Sequence, residues 1–271
     1  MTSISEILAC PLCKTRLDEN LACRTCGEKY NFTNGLYIMI NKKISPNEWK
    51  WNPSLFTEEK MAKLSEEYRS QLNEETKNAQ MVWWNKMEVY LANFQGIVVD
   101  IATGLGGMFE KLMKSEKNFL PIATDVDPNV LFWTTNKMKK LYKKEFIGVA
   151  TDAKYLAFRD NVADYISSCG GFNNIPQPEL AFAEAYRVLK KEGNLIFMHT
   201  FVDEGSPSAK LAEQHNIGIF SEKKLNEVLT KVGFGQIRSE TISSAIWAKN
   251  PMDLLPVAGD MQYFAVICAV K

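Results

Sequence analysis

The sequence predicts an α/β protein. Its core is a doubly wound, mostly parallel seven-stranded sheet ending in an antiparallel hairpin, with a small cysteine-bearing β unit and a helical connector in front. Three observations carry that expectation. From residue 96 onward, apolar runs of strand length alternate with segments of helical periodicity, which calls for a mostly parallel sheet. A Gly-rich turn, "ATGLGG" at 102–107, stands directly after the first of those runs. Four of the six cysteines fall within the first 26 residues, in two C-x2-C pairs.

The cysteines come first in the chain. Cys10 and Cys13 form one pair, Cys23 and Cys26 the other, with the nine residues "KTRLDENLA" between them. Each C-x2-C can wrap as a knuckle, and two knuckles across a short hairpin complete a tetrahedral four-thiolate site suited to structural Zn2+. Disulfides are the alternative, disfavoured in a reducing compartment, and a thioredoxin-type redox pair would need a βαβ context. Four thiolates leave the metal no open position for chemistry. Asn34-Gly35 then marks a second hairpin within "EKYNFTNGLYIMI". Residues 1–40 are read as one unit, and the Asn31-Phe32-Thr33 sequon as an accident of sequence.

Residues 41–95 are read as a helical connector and candidate lid. Thr57 is an N-cap candidate ahead of good helix formers. Met61, Leu64, Tyr68 and Leu72 recur at helical spacing, and Trp83, Trp84, Met87 and Leu91 do so later. The reading favoured on spacing alone is helices packed on the main domain. The alternative is a lid that closes over a ligand with Trp49, Trp51, Trp83 and Trp84.

Residues 96–271 are read as the main domain. Strands are expected near 97–101, 119–125, 145–150, 163–168 and 194–201, and helices near 106–116, 128–141, 177–190 and 221–232. Asp127-Pro128 is an N-cap followed by Pro at the first helical position. Gly193 and Gly233 are placed just past helix ends. Leu225, Val228, Leu229 and Val232 give one helix an apolar face. The last two apolar runs have no helix-length segment between them and should pair antiparallel.

The Gly-rich turn is not a good phosphate cradle. A dinucleotide fingerprint needs a third Gly where Phe109 stands, and a P-loop needs a Lys that is absent. Asp100 beside the turn argues further against an anion. The order of motifs from Asp100 to the terminal hairpin resembles instead the class I S-adenosylmethionine-dependent methyltransferases. Asp100-Ile101-Ala102-Thr103-Gly104-Leu105-Gly106-Gly107 follows that family's first motif, with Ala102 in place of its first Gly. Asp125 in "IATDVDPNV" ends the second strand, and Asp152 in "GVATDAKYLAF" follows the third. "NVADYISSCGGFNNI" and "ELAFAEAYRVLKKEGNLIFM" continue the series.

The resemblance implies S-adenosyl-L-methionine as cofactor. Its expected contacts are Asp100, Ala102, Thr103, Gly104 and Gly106 in the turn, Asp125 with Val126 at the ribose, Asp152 with Ala153 at the adenine, and Cys169. Gly104 and Gly106 would remove Cβ atoms beside the cofactor. Asp125 would accept from both ribose hydroxyls. Asp100 would add negative charge near the methionine end. No catalytic residue is named. Of the two histidines, His199 is expected in the core, and the loop after strand four has neither a [DNS]-P-P-[FYW] motif nor a Pro-Cys nucleophile.

The N-terminal pattern, C-P-x-C through L-x-C-x-x-C to N-G-L, resembles the small zinc-ribbon proteins that activate tRNA and release-factor methyltransferases. A similar ribbon precedes an rRNA guanine methyltransferase domain, where a His stands in the second knuckle in place of Cys26. Lys+Arg and Asp+Glu are each 32, so no overall basic field calls for nucleic acid. No basic leader and no run of 18 apolar residues is present, so a cytoplasmic chain with no membrane segment is expected. A small-molecule methyl acceptor is therefore favoured. The alternatives are an RNA acceptor docked by the ribbon, with Lys14, Arg16, Arg24 and Lys29 as a meagre patch, and a non-catalytic cofactor-binding module that regulates a protein partner. On the favoured reading the ribbon is separable, and removing residues 1–40 should leave cofactor binding nearly intact.

Overall fold

In the computed structural model, residues 4–45, 52–215, 219–248 and 255–271 are described. Trp49 and Trp51, two of the four tryptophans of the lid reading, lie outside them. Among the described residues nine strands form one sheet. They are β1 (Asn31–Thr33), β2 (Leu36–Ile38), β3 (Gly96–Asp100), β4 (Phe119–Asp125), β5 (Ile147–Ala150), β6 (Ala163–Cys169), β7 (Leu189–Val202), β8 (Gly235–Ile246) and β9 (Met261–Val270). Their order across the sheet is β1-β2-β5-β4-β3-β6-β7-β9-β8.

The seven strands read from the sequence are all present. β5, β4, β3, β6 and β7 run parallel, and β8 and β9 pair antiparallel at one edge. The other two strands come from the Asn34-Gly35 hairpin, with both turn residues at positive φ (53° and 76°). β2 lies parallel to β5, Leu36 opposite Gly148 and Ile38 opposite Ala150. An otherwise open β5 edge is thus capped by the N-terminal segment, which removes a row of unpaired backbone groups.

Helices cover both faces. α3 (Glu74–Leu91), α4 (Gly107–Lys114) and α5 (Pro128–Leu141) bury Met87, Leu91, Phe109, Leu112, Leu131 and Met138 on one face. α7 (Pro178–Val188) and α9 (Glu222–Val232) bury Phe182, Ala185, Leu225 and Leu229 on the other. That second core also contains Ile7, Leu8, Leu17, Tyr30 and Met39, so the cysteine-bearing segment packs into the same core as α7. Its short α1 (Ile4–Ile7) leads into this contact. Lys14 Nζ donates to Glu184 Oε2 at 2.7 Å, and the Ala9 amide donates to the Ala157 carbonyl at 3.0 Å.

Local capping chemistry sets several boundaries. Asp127 caps α5 through the Asn129 amide, with Pro128 as the first helical residue. Thr57 accepts from the Lys60 amide and starts α2 (Glu58–Gln71). Gly233 ends α9 in the left-handed conformation, φ 115°. Gly193 does not end a helix: α7 stops at Val188, and Gly193 lies inside β7, after Glu192 at φ 62°. Within residues 96–271 two helices fall where none was read, α6 (Gly171–Asn174) and α8 (Pro207–His215). No helix of the described residues is long and apolar enough to cross a membrane.

The two connector helices differ. α3 lies on β8 and β9, where Trp83 is buried, packs at a tilt against Phe264 and donates its indole N–H to the Ala265 carbonyl at 2.8 Å. Trp83 is therefore a core residue and not part of a movable lid. α2 buries only Met61. It faces α5 across a cavity of about 910 Å3 whose walls include Met61, Leu105 and Trp133.

Candidate functional site

The carboxyl ends of β5, β4, β3 and β6 lie side by side, and the order of strands reverses beside β3. Open α/β sheets bind ligands at such a point. Residues expected to contact the cofactor converge there. Ala102, Gly104, Val126, Ala153 and Cys169 are half-buried at these strand ends, whereas Asp100, Thr103, Asp125 and Asp152 are buried.

Asp125 organises the turn. Its Oδ2 accepts from the Gly104 amide at 2.8 Å and its Oδ1 from the Asp127 amide at 3.0 Å. A carboxylate has about four lone-pair sites, so two remain for a ligand's hydroxyls. Burial raises its pKa while these amides oppose the rise. Thr134 of α5 donates to the Gly104 carbonyl at 2.6 Å and fixes the turn from the other side.

The two turn glycines answer to different demands. A Cβ on Gly104 would meet nothing closer than the Ala102 carbonyl at 3.9 Å, so the space beside it is open to a ligand. A Cβ on Gly106 would stand 2.7 Å from Thr134 Cγ2 and 3.1 Å from Met138 Cε. Gly106 thus turns toward α5, and close helix packing accounts for it. Gly171, not singled out from the sequence, approaches the same turn. Its Cβ would lie 2.8 Å from that of Ala102 and 2.4 Å from Ser168 Oγ. Ala102 itself holds φ 53°, a conformation that costs a non-Gly residue about 1–2 kcal/mol.

Asp100 lies under the turn, 1% exposed, and accepts from Ser167 Oγ and Thr103 Oγ1, both at 2.9 Å. Contact with a ligand is closed to it in this conformation. Burial pushes its pKa up to about 7. The unfolded group titrates near 4. A raised carboxyl pKa means that the native state holds a proton the unfolded state has lost. The contribution to stability is thus complete below about pH 4 and falls away as pH rises through 7. The neutral Asp100→Asn variant lacks this dependence. In cofactor-free protein, wild-type unfolding free energy should fall relative to the variant by about 2–3 kcal/mol between pH 5 and pH 8. Urea unfolding at both pH values checks this, and parallel pH profiles would contradict it.

Asp152 caps the 3-10 turn Ala153–Tyr155 through the Lys154 amide and also accepts from Ser45 Oγ at 2.6 Å. Ser45 is a buried connector residue that no sequence motif marked. Burial pushes the Cys169 thiol up to about 12, so it stays protonated at neutral pH. His199 is fully buried, donates from Nε2 to the Ile219 carbonyl and has its pKa lowered to about 4 by burial. It is a core histidine.

The four cysteines form one cluster, their sulfur atoms all within 4.8 Å of one another. None of them is in a disulfide. Cys10 Sγ and Cys26 Sγ are 3.7 Å apart. A tetrahedron with Zn–S bonds of about 2.3 Å has edges of about 3.8 Å, so this donor set fits zinc. The two knuckles repeat one backbone geometry. Lys14 and Gly27 each hold positive φ (59° and 75°) and return an N–H to the carbonyls of Cys10 and Cys23, both at 2.8 Å. Of the basic residues near the cluster, Lys14 is engaged by Glu184.

Residues 99–197 match the family described as "Methyltransferase domain". Over 122 residues the chain is 30% identical to a ubiquinone/menaquinone biosynthesis C-methyltransferase (UbiE) of Rickettsia typhi, covering 42% of this chain and 48% of that protein. The UbiE protein of Bradyrhizobium is 34% identical over 101 residues, 36% of this chain and 40% of its own. The chain thus spans about half the length of the curated relatives it matches. Phosphoethanolamine N-methyltransferase 2 of Haemonchus contortus, solved with S-adenosyl-L-methionine, superposes with a TM-score of 0.55 at 20% identity, covering 69% of this chain and 52% of its own. The chain therefore has the α/β Rossmann-like methyltransferase fold, and residues 99–197 within it match a methyltransferase domain family.

Proposed function

We propose that the protein is an S-adenosylmethionine-dependent methyltransferase acting on a small-molecule acceptor. The observation that carries the reading is Asp125. It ends β4, is anchored by the Gly104 and Asp127 amides, keeps acceptor capacity for a ribose and stands beside the open space at Gly104. Asp152 and Ala153 would border the adenine, Val126 the ribose, and Ala102, Thr103 and Cys169 the methionine end. The cofactor supplies an already activated methyl group, so the chain's work is to bind, orient and exclude water. A sulfonium cation bound beside the turn would favour the ionised forms of Asp125 and Asp100, whose carboxyls burial otherwise pushes toward neutral.

The cavity between α2 and α5 reaches the Gly turn through Leu105 and offers Met61 and Trp133 as an apolar wall for the acceptor. The curated relatives' names, C-methyltransferases of quinone biosynthesis, make an aromatic carbon acceptor the first class to try. The cysteine cluster holds Zn2+ as a structural ion. A panel of quinol, phenol and amine acceptors with methyl-labelled cofactor tests the reading. Label should pass to a small acceptor, and transfer only to RNA would contradict it.

A further inference from the structure

A buried hydrogen-bond chain joins the cysteine cluster to Asp152. Tyr30 Oη lies 3.3 Å from Cys10 Sγ and accepts from Asn41 Nδ2 at 3.1 Å. A metal-bound thiolate has no proton, so the Tyr30 hydroxyl must donate to it, which leaves its lone pairs to Asn41. Asn41 then shapes the turn that follows. Its Oδ1 accepts from the Lys43 amide at 2.9 Å, and its carbonyl accepts from the Ile44 and Ser45 amides at 3.2 and 2.9 Å. That turn presents Ser45 Oγ to Asp152 Oδ2 at 2.6 Å. Lys43 pairs with Glu28 beside the second knuckle and ties the turn to the same segment.

Every side chain on this route is nearly closed to water: Cys10 0%, Tyr30 4%, Asn41 3%, Ser45 2% and Asp152 7% exposed. Buried polar groups in such a chain have no solvent to substitute for a lost partner, so a change at one end is felt along it. Asp152 also spends one oxygen on the Lys154 amide. With both oxygens held, its rotamer is fixed and its remaining lone pairs point in set directions.

We propose that the cysteine cluster sets the position of Asp152, and with it the affinity for the cofactor, through the buried chain Cys10–Tyr30–Asn41–Ser45–Asp152. Tyr30, Asn41 and Ser45 are positioning residues. The ion is then a brace for the adenine side of the pocket as well as for its own hairpin. This rests on the reading that Asp152 borders the adenine.

The test is a double-mutant cycle in the full-length, metal-loaded chain, with calorimetric titration of S-adenosylhomocysteine, metal analysis and a thermal melt on each variant. Ser45→Ala and Tyr30→Phe should each weaken binding about 3- to 10-fold. The double variant should lose little more than the weaker-binding single one, because both cut the same chain. Zinc should remain stoichiometric in Ser45→Ala. The wild-type chain offers a second measurement that needs no substitution. By linkage, saturating S-adenosylhomocysteine should raise its zinc affinity against a chromophoric chelator by a comparable factor. Wild-type affinity in Ser45→Ala, losses that multiply in the double variant, or a zinc affinity indifferent to the ligand would each overturn the inference. Failure of the wild-type chain to bind the ligand at all would instead bring down the reading of the pocket.

Discussion

Deleting residues 1–40, or stripping the metal by Cys23→Ser, should destabilise the whole chain and not merely loosen an appendage. The sequence suggested a separable ribbon whose removal would spare cofactor binding. The structure revises that expectation, because β2 is a strand of the main sheet and Ile7, Leu8, Tyr30, Leu36 and Met39 are buried against it. Burying one such side chain contributes about 1.5–3 kcal/mol, so five of them rival the 5–15 kcal/mol that holds a typical domain folded. Metal binding by a small finger adds roughly 10–16 kcal/mol of apparent energy, and with the proposed zinc bound that energy would feed the common core. Cys23→Ser should therefore lose zinc and lower a single cooperative melting transition. The 41–271 fragment should fail to give one. Metal analysis and calorimetric melts check both. A folded 41–271 fragment with wild-type cofactor affinity would show that the shared core has been overvalued.

The second large effect is expected at Asp125. Asp125→Ala removes a charged acceptor whose hydrogen bonds contribute about 1.5–3 kcal/mol, equivalent to a loss of roughly 10- to 150-fold in affinity. It also frees the Gly104 and Asp127 amides, so part of the loss comes from a slackened turn. Asp125→Asn separates the two contributions. Its carbonyl oxygen can keep one amide, while the charge and one acceptor are gone. Its affinity should fall between wild type and Asp125→Ala. Equal calorimetric affinity in wild type and Asp125→Ala would show that the ribose lies elsewhere.

Elements whose limits are set by neighbouring residues were legible in the sequence. The helix at 128–141 and the strand at 119–125 lie where they were read, because Asp127-Pro128 and the apolar run fix them locally. The terminal antiparallel pair followed from the missing helix between its strands. What depended on distant partners was not legible. Nothing local says that Leu36–Ile38 will pair with Ile147–Ala150, and nothing in "YRVLKKEG" shows that the strand begins at Leu189, five residues before the expected 194. The helix at 207–215 has a weak apolar stripe, burying only Ser208 and Ala212.

The candidate site divides in the same way. The motif singles out Asp125 and Gly104, and the structure brings the Asp125 carboxyl onto the Gly104 amide beside open space. The packing role of Gly106 was hidden because it depends on Thr134, 28 residues later. Helical spacing favours Trp83 as a packing residue over the lid alternative, and its indole serves the Ala265 carbonyl across the sheet. Ser45 could not be found from sequence, because an isolated Ser carries no motif. The polar pair Ser167-Ser168 at the end of an apolar strand was a usable signal, and Ser167 does hold Asp100.

The strand ends that carry Asp125, Gly104 and Asp152 are proposed to take S-adenosylmethionine. The most direct test is calorimetric titration of the full-length, zinc-loaded chain with S-adenosylmethionine and S-adenosylhomocysteine. One site per chain for each ligand is expected, with a melting temperature that climbs as ligand concentration passes the dissociation constant. No saturable heat and no thermal shift with either ligand at millimolar concentration would contradict it.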